Sequence, residues 1–221
     1  MHRHNGRCRG SLGIGGTMTT DETHGRIAEA FARVPRERFL PMAERQNALD
    51  NVPLSIGRGQ TNSQPSTVAD MLRLLDPQPG ETVLDLGSGS GWTSMLLALL
   101  VGPTGRVLGV ERHPELVESS RAAIEAVIAE SADQEPLAEV AIHAAVPGAL
   151  GLPAEAPFDR ILVSAGAESL PDQLVDQLAV GATMVIPVAG EMLRVVGGGP
   201  GSDGLTITRH GRYRFVPLIS E

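Results

Sequence analysis

The stretch "TVLDLGSGSGW", residues 82–92, decides the fold. Five residues, all but Asp85 of β-forming or apolar character, are followed by a turn holding Gly87, Gly89 and Gly91, then by the apolar run "WTSMLLALLV". A short buried strand, a glycine turn and a helix are the expected consequence. Glycines serve such a turn because the backbone bends sharply and a ligand can approach the main chain with no Cβ in the way. Working outward, "GPTG" turns the chain into a second strand, "RVLGVE", whose last residue is Glu111, twenty residues after Gly91. An acid in that place accepts hydrogen bonds from the ribose hydroxyls of an adenosine ligand. Asp85 stands near the end of the first strand as a second acid of the site.

Further strands are predicted at "AEVAIH", "FDRILVSA", "GATMVIPV", "EMLRVV" and "RYRFVPLI", with helices over about 114–130 and at "PDQLVDQL". Near-continuous apolar strands alternating with helices indicate an α/β domain, a doubly wound and mostly parallel sheet of Rossmann-like type. The last two strands, joined by "GGGPGSDG", are expected as an antiparallel addition at one edge. Upstream, "DETHGRIAEAFARV" and "PSTVADMLRLLD" read as amphipathic helices flanking a loop from Met42 to Ser63. Within "GRGQTNSQPST", Ser63 or Thr61 is a candidate cap for the helix that opens at Pro65. Residues 1–20 are expected to be a disordered tail, and Met18 is a candidate start of translation beside Met1. Residues 21–221 then form one domain, a helical substrate-side cap over 21–78 and a ligand-binding core with the C-terminal strands over 79–221.

The gross numbers exclude some classes. Among 221 residues the formal net charge is −8, which disfavours a nucleic-acid partner. The longest apolar run, "MLLALLV", is far shorter than the roughly 20 residues a membrane span needs. A single cysteine, Cys8, forms no internal disulfide and fits a cytoplasmic location. No metal site is expected, and a monomer is the favoured state.

The identity of the adenosine ligand turns on position 92. A dinucleotide fingerprint requires glycine there, whereas this chain has Trp92. G-x-G-x-G preceded by Asp85 resembles the first motif of class I S-adenosylmethionine-dependent methyltransferases. The segments "VPRERFLP", "PLSIGRGQTNSQPSTVADMLRLL", "VLDLGSGSGW", "VERHPEL", "GLPAEAPFDRILVSAGAESLPDQLVDQL", "VIPV" and "FVPL" occur in that order. Together, from about Arg26 to Leu218, they resemble the protein-L-isoaspartate O-methyltransferase family. The resemblance implies methylation of the abnormal carboxylate of isoaspartyl residues in damaged proteins, the start of repair through a succinimide. It implies S-adenosylmethionine around Asp85, Gly87, Ser88, Gly89, Gly91, Glu111, Arg112 and the position of Pro147. Ser63 is implied as the catalytic residue, with Gln60, Thr61 and Asn62 positioning the substrate.

The chain also departs from the family pattern. Val146, Pro147 and Gly148 stand where the family has Gly-Asp-Gly, whose aspartate contacts the adenine. Glu191 replaces a glutamine, Asn62 is the middle residue of the usual Thr-Ile-Ser, and Asn51, beside Asp50, replaces an acid. Three alternatives stay open on the sequence: a methyltransferase of a dedicated peptide carboxylate, one of a small-molecule carboxylate, and a noncatalytic S-adenosylmethionine-binding protein. His143, at a predicted strand end, is expected to be structural.

Overall fold

The computed structural model describes residues 20–130, 136–197 and 204–219. The expected tail therefore lies outside the described residues except for Thr20, which opens the first helix.

Seven strands form one sheet in the order β5-β4-β3-β6-β7-β8-β9. β3 (Thr82–Leu86), β4 (Arg106–Glu111), β5 (Glu139–Ala144), β6 (Phe158–Val163) and β7 (Leu178–Val188) run parallel. β8 (Glu191–Val196) and β9 (Thr206–Arg212) close one edge in antiparallel fashion. The chain winds outward from β3 through β4 to β5, then crosses back to place β6 on the other side of β3. That reversal opens a crevice at the carboxyl ends of β3, β4 and β6, the usual ligand position in such sheets.

Side chains alternate across the sheet and build a core on each face. Val83, Val107, Leu162 and Val185 face α1 (Thr20–Arg33), α2 (Pro65–Leu75), α3 (Trp92–Val101) and α4 (Pro114–Glu130). Leu84, Leu108, Ile161 and Met184 face the other way, towards Leu150, Leu174 and Val175. Ile27, Ala30 and Val34 of α1 belong to the first of these cores, so the N-terminal helices are fused to the sheet.

Four expectations change. "PDQLVDQL" holds only a one-turn helix, α5 (Asp172–Val175), because β7 already starts at Leu178. The Gln177 amide between them is taken up by the loop before β6: it accepts from Leu152 N–H and donates to Leu150 O. The Met42–Ser63 loop contains a 3-10 turn at Met42–Asn47 and a hairpin, β1 (Leu54–Gly57) with β2 (Gln60–Asn62). Neither Ser63 nor Thr61 caps α2; its N-cap is Gln64 without a side-chain bond, and Asn51 Oδ1 accepts the Ser66 N–H at 3.0 Å.

Finally, "RYRFVPLI" is not the last strand. β9 is the polar "TITRHGR", exposed along nearly its whole length as an edge strand can be. Residues 213–219 form an extended strap that bonds through Gly166 alone among the β6–β7 residues, Gly166 N–H to Val216 O and Leu218 N–H to Gly166 O, both 2.8 Å. Pro217 has no N–H to offer a ladder.

Candidate functional site

The crevice at the carboxyl ends of β3 and β4 is a cavity whose floor is the turn Gly87–Ser88–Gly89–Ser90. Two of its glycines have separate reasons to be there. Gly89 has φ +54°, and a Cβ on it meets Ile56 Cδ1 of the hairpin at 3.2 Å. Gly91 has φ +84°, and a Cβ there meets Ile124 Cδ1 of α4 at 2.9 Å. The first lets the hairpin close over the turn; the second lets α3 start tightly against α4. Gly87, Ser88 and Gly89 line the cavity, whereas Gly91 does not.

Glu111 is 5% exposed and its carboxylate is already oriented. Oε2 accepts the Gly89 N–H at 3.1 Å and Oε1 accepts the His113 N–H at 2.9 Å. Each oxygen keeps lone-pair capacity towards the cavity, which suits a pair of neighbouring hydroxyls. Beside it lie Val110, Arg112, Ala145, Ala149 and Leu150, a largely apolar slot for a flat ring. Pro147 is exposed on the loop beyond and does not line the cavity. The slot is thus bounded by its neighbours Ala145 and Ala149, with no carboxylate at position 147.

Asp85 also stands elsewhere than a lining residue would. It is wholly buried beneath the turn, on the α3 side of β3. Its Oδ2 accepts a 2.6 Å bond from Ser94 Oγ, and Oδ1 has no partner among the described residues. Burial pushes its carboxyl up to about 7, and the nearby Glu111 charge adds to the rise while the Ser94 bond opposes it. From its ordinary 3.8 to about 7 the unfolded chain releases this proton and the folded chain keeps it. Stability therefore falls as pH rises through that window, with no further loss above it. In Asp85→Asn this dependence disappears. The thermal midpoint of the wild type relative to D85N is expected to drop between about pH 4.5 and 7.5, equivalent to a few kcal/mol at most. A constant difference across those pH values counts against the buried, uncharged Asp85.

A second hollow lies beside the first, and Thr61, Ser63, Ser164 and Val216 line both. Gln60 and Asn62 line the first. Ser63 is half-buried, with its backbone held from below. The holder is Arg36, a residue the sequence analysis does not single out. Its guanidinium is buried and donates to Asn62 Oδ1 (2.6 Å), Asn62 O (3.0 Å), Ser63 O (3.0 Å), Val52 O (2.8 Å) and Asp50 O (3.0 Å). It also lies 5.5 Å over the Trp92 ring, and Trp92 Nε1 donates to Val34 O at 3.0 Å. Asn62 Nδ2 in turn donates to Ser90 Oγ at 3.0 Å. The segment 60–63 is thereby tied to the glycine turn through one buried cation. A single arginine after a proline, "PRERF", gave no signal of this, since these partners lie 14 to 27 residues downstream.

His143 is half-buried in β5 and lines neither hollow. Among the described residues no group of three or more His, Cys, Asp or Glu side chains is placed to hold a metal ion. No helix of the described residues is long and apolar enough to cross a membrane.

Ser88 Oγ, on a residue 5% exposed, has no hydrogen-bond partner among the described residues and is packed beneath the floor, where a Cβ on Gly109 of β4 would meet it at 3.2 Å. The backbone-held Glu111 and the apolar slot together fit an adenosyl group.

Comparison with known proteins places these features in a family. The model for protein-L-isoaspartate(D-aspartate) O-methyltransferases matches residues 18–221. The protein-L-isoaspartate O-methyltransferase of Aeropyrum pernix is 47% identical over 210 residues, covering 90% of this chain and 74% of that one. That of Methanopyrus kandleri is 43% identical over 198 residues, covering 89% and 84%. In structure, a candidate protein-L-isoaspartate O-methyltransferase of Plasmodium falciparum, solved with S-adenosyl-L-homocysteine, superposes with TM-score 0.74 at 24% identity, covering 89% of this chain and 91% of that one. At that identity the likeness is one of fold.

Proposed function

The chain belongs to the protein-L-isoaspartate(D-aspartate) O-methyltransferase family, an S-adenosylmethionine-dependent carboxyl methyltransferase of isoaspartyl residues, and we propose that Ser63 carries the transfer at the wall between the two hollows. The observation that carries this reading is the position of Ser63 and Thr61, which line both the glycine-floored cavity and its neighbour. A methyl donor in the first and a carboxylate in the second meet only across that wall.

S-adenosylmethionine, when bound, supplies an electrophilic sulfonium methyl group. On this reading Glu111 takes the ribose hydroxyls, the backbone of Gly87, Ser88 and Gly89 borders the polar tail, and Arg112 borders the adenine slot. Asp85 acts from beneath, by supporting the turn through Ser94. Gly91 acts by packing.

The substrate carboxylate, with an ordinary pKa near 4, is already ionised at neutral pH, so no general base is required. The donor would supply the methyl group for a new O–C bond, the electron pair of the broken C–S bond staying on sulfur, while the residues around Ser63 hold one carboxylate oxygen in line. Ser63 Oγ–H donates to the carboxylate and fixes the oxygen's direction; Thr61 and Gln60 narrow the approach. Arg36, through Ser63 O and Asn62, sets where that hydroxyl stands. Alignment and exclusion of water supply the rate.

Ser63→Ala is expected to lower kcat/KM on an isoaspartyl peptide by about 10- to 100-fold, the worth of one hydrogen bond to a charged group. Labelled methyl transfer from S-adenosylmethionine measures it, and an unchanged kcat/KM removes Ser63 from the site. A cytoplasmic location belongs to the same proposal, supported by the single cysteine and a substrate class found in any protein-rich compartment.

A further inference from the structure

We infer that the second hollow is a cationic groove that selects isoaspartyl segments carrying acidic residues close to the damaged position. The inference rests on the isoaspartyl reading above and goes beyond it to the flanking sequence.

The groove starts at the wall made by Ser63 and Val216 and continues past Arg214 and Arg212. Both arginines are exposed, and neither has a hydrogen-bond or ion-pair partner among the described residues. Several other arginines of the structure are engaged. Arg58 pairs with Glu115, Arg209 with Glu191, and Arg160 with Glu81 at 2.9 Å. The one acid lining the groove, Asp70, is answered on both oxygens: Arg73 donates to Oδ1 at 2.9 Å and Tyr213 O–H to Oδ2 at 3.1 Å. The groove thus presents two unanswered positive charges on a chain of net charge −8. A local reversal of that kind attracts anionic partners.

Distance along the strap sets the register. At about 3.3 Å per extended residue, Arg214 and Arg212 lie roughly 7 and 13 Å from Val216. A bound peptide is spaced the same way, so its side chains from about one to four residues beyond the modified carboxylate reach the two guanidinium groups.

The test uses the full chain and three isoaspartyl peptides of one length, with flanks within four residues of the isoaspartate that are neutral, glutamate-rich or lysine-rich. The expected kcat/KM order is glutamate above neutral above lysine, with about fivefold between the first two at low salt. The preference is expected to shrink towards unity at about 0.5 M salt, where charges on exposed groups are screened. In the double variant R212Q/R214Q the glutamate-to-neutral ratio is expected near one, and in R212E/R214E the lysine-rich peptide becomes the better substrate. Taking ratios within each variant cancels any loss of folded protein. Equal rates on all three peptides in the wild type, or a glutamate preference that survives in R212Q/R214Q, overturn the groove. No methylation of any of the three overturns the isoaspartyl reading, and the groove preference with it.

Discussion

Arg36→Met is expected to lower folding stability by about 3–5 kcal/mol and to take methyl transfer down with it. The reason is the number of acceptors left behind. Four backbone carbonyls, of Asp50, Val52, Asn62 and Ser63, and the Asn62 side chain lose their donor in a part-buried setting. Burial holds the Arg36 pKa below its ordinary value, with Asp50 opposing, yet a guanidinium stays charged throughout any working pH. Methionine fills much of the volume over Trp92 and can satisfy none of those carbonyls. Arg36→Lys keeps the charge but gives up the planar fork, so it is expected to recover only part of the loss. Urea denaturation of the three proteins gives the stabilities. If R36M unfolds at the wild-type midpoint, the arginine is not what holds residues 60–63.

The second large effect falls on the cofactor. Glu111→Gln is expected to weaken S-adenosyl-L-homocysteine binding by about 100-fold, read by titration calorimetry. Both oxygens of Glu111 face backbone donors, Gly89 N–H and His113 N–H. A glutamine has one oxygen, so its amide nitrogen must confront one of those N–H groups or swing away. Either outcome spoils the acceptor pair that the ribose hydroxyls would meet. A change of less than threefold would place the ribose away from Glu111.

Much of the fold was legible because its signals are local. A strand buried on both faces reads as a continuous apolar run, so β3, β4 and β7 stand out in the sequence, and glycines with positive φ mark the turn after β3. β9 escaped for the opposite reason. An exposed edge strand such as "TITRHGR" carries no apolar pattern, while the apolar "FVPL" belongs to a strap that bonds to Gly166 just beyond the carboxyl end of β6.

The site shows the same division. Gln60 to Ser63, Gly87, Gly89 and Glu111 lie in short local motifs, and the structure brings them to one crevice. Arg36 and Gln177 act across long sequence separations on backbone groups, and no pattern in the chain announces that. Asp85 and Pro147 show where a motif position and a cavity wall part company. Asp85 is swung to the α3 side by the alternation of β3, and Pro147 sits on the exposed outer turn of the loop after β5. The slot beside Glu111 is lined by Ala145, Ala149 and Leu150, with no carboxylate at position 147.

Central to this account is a carboxylate recognised as isoaspartyl and methylated across the Ser63 wall. Paired peptides that differ only in an isoaspartyl or an ordinary aspartyl linkage, incubated with labelled S-adenosylmethionine and the wild-type chain, test it most directly. Label is expected in the isoaspartyl peptide as a base-labile methyl ester, with none above background in its partner. Equal labelling of the two, or no labelling of either while S-adenosyl-L-homocysteine still binds, would contradict it.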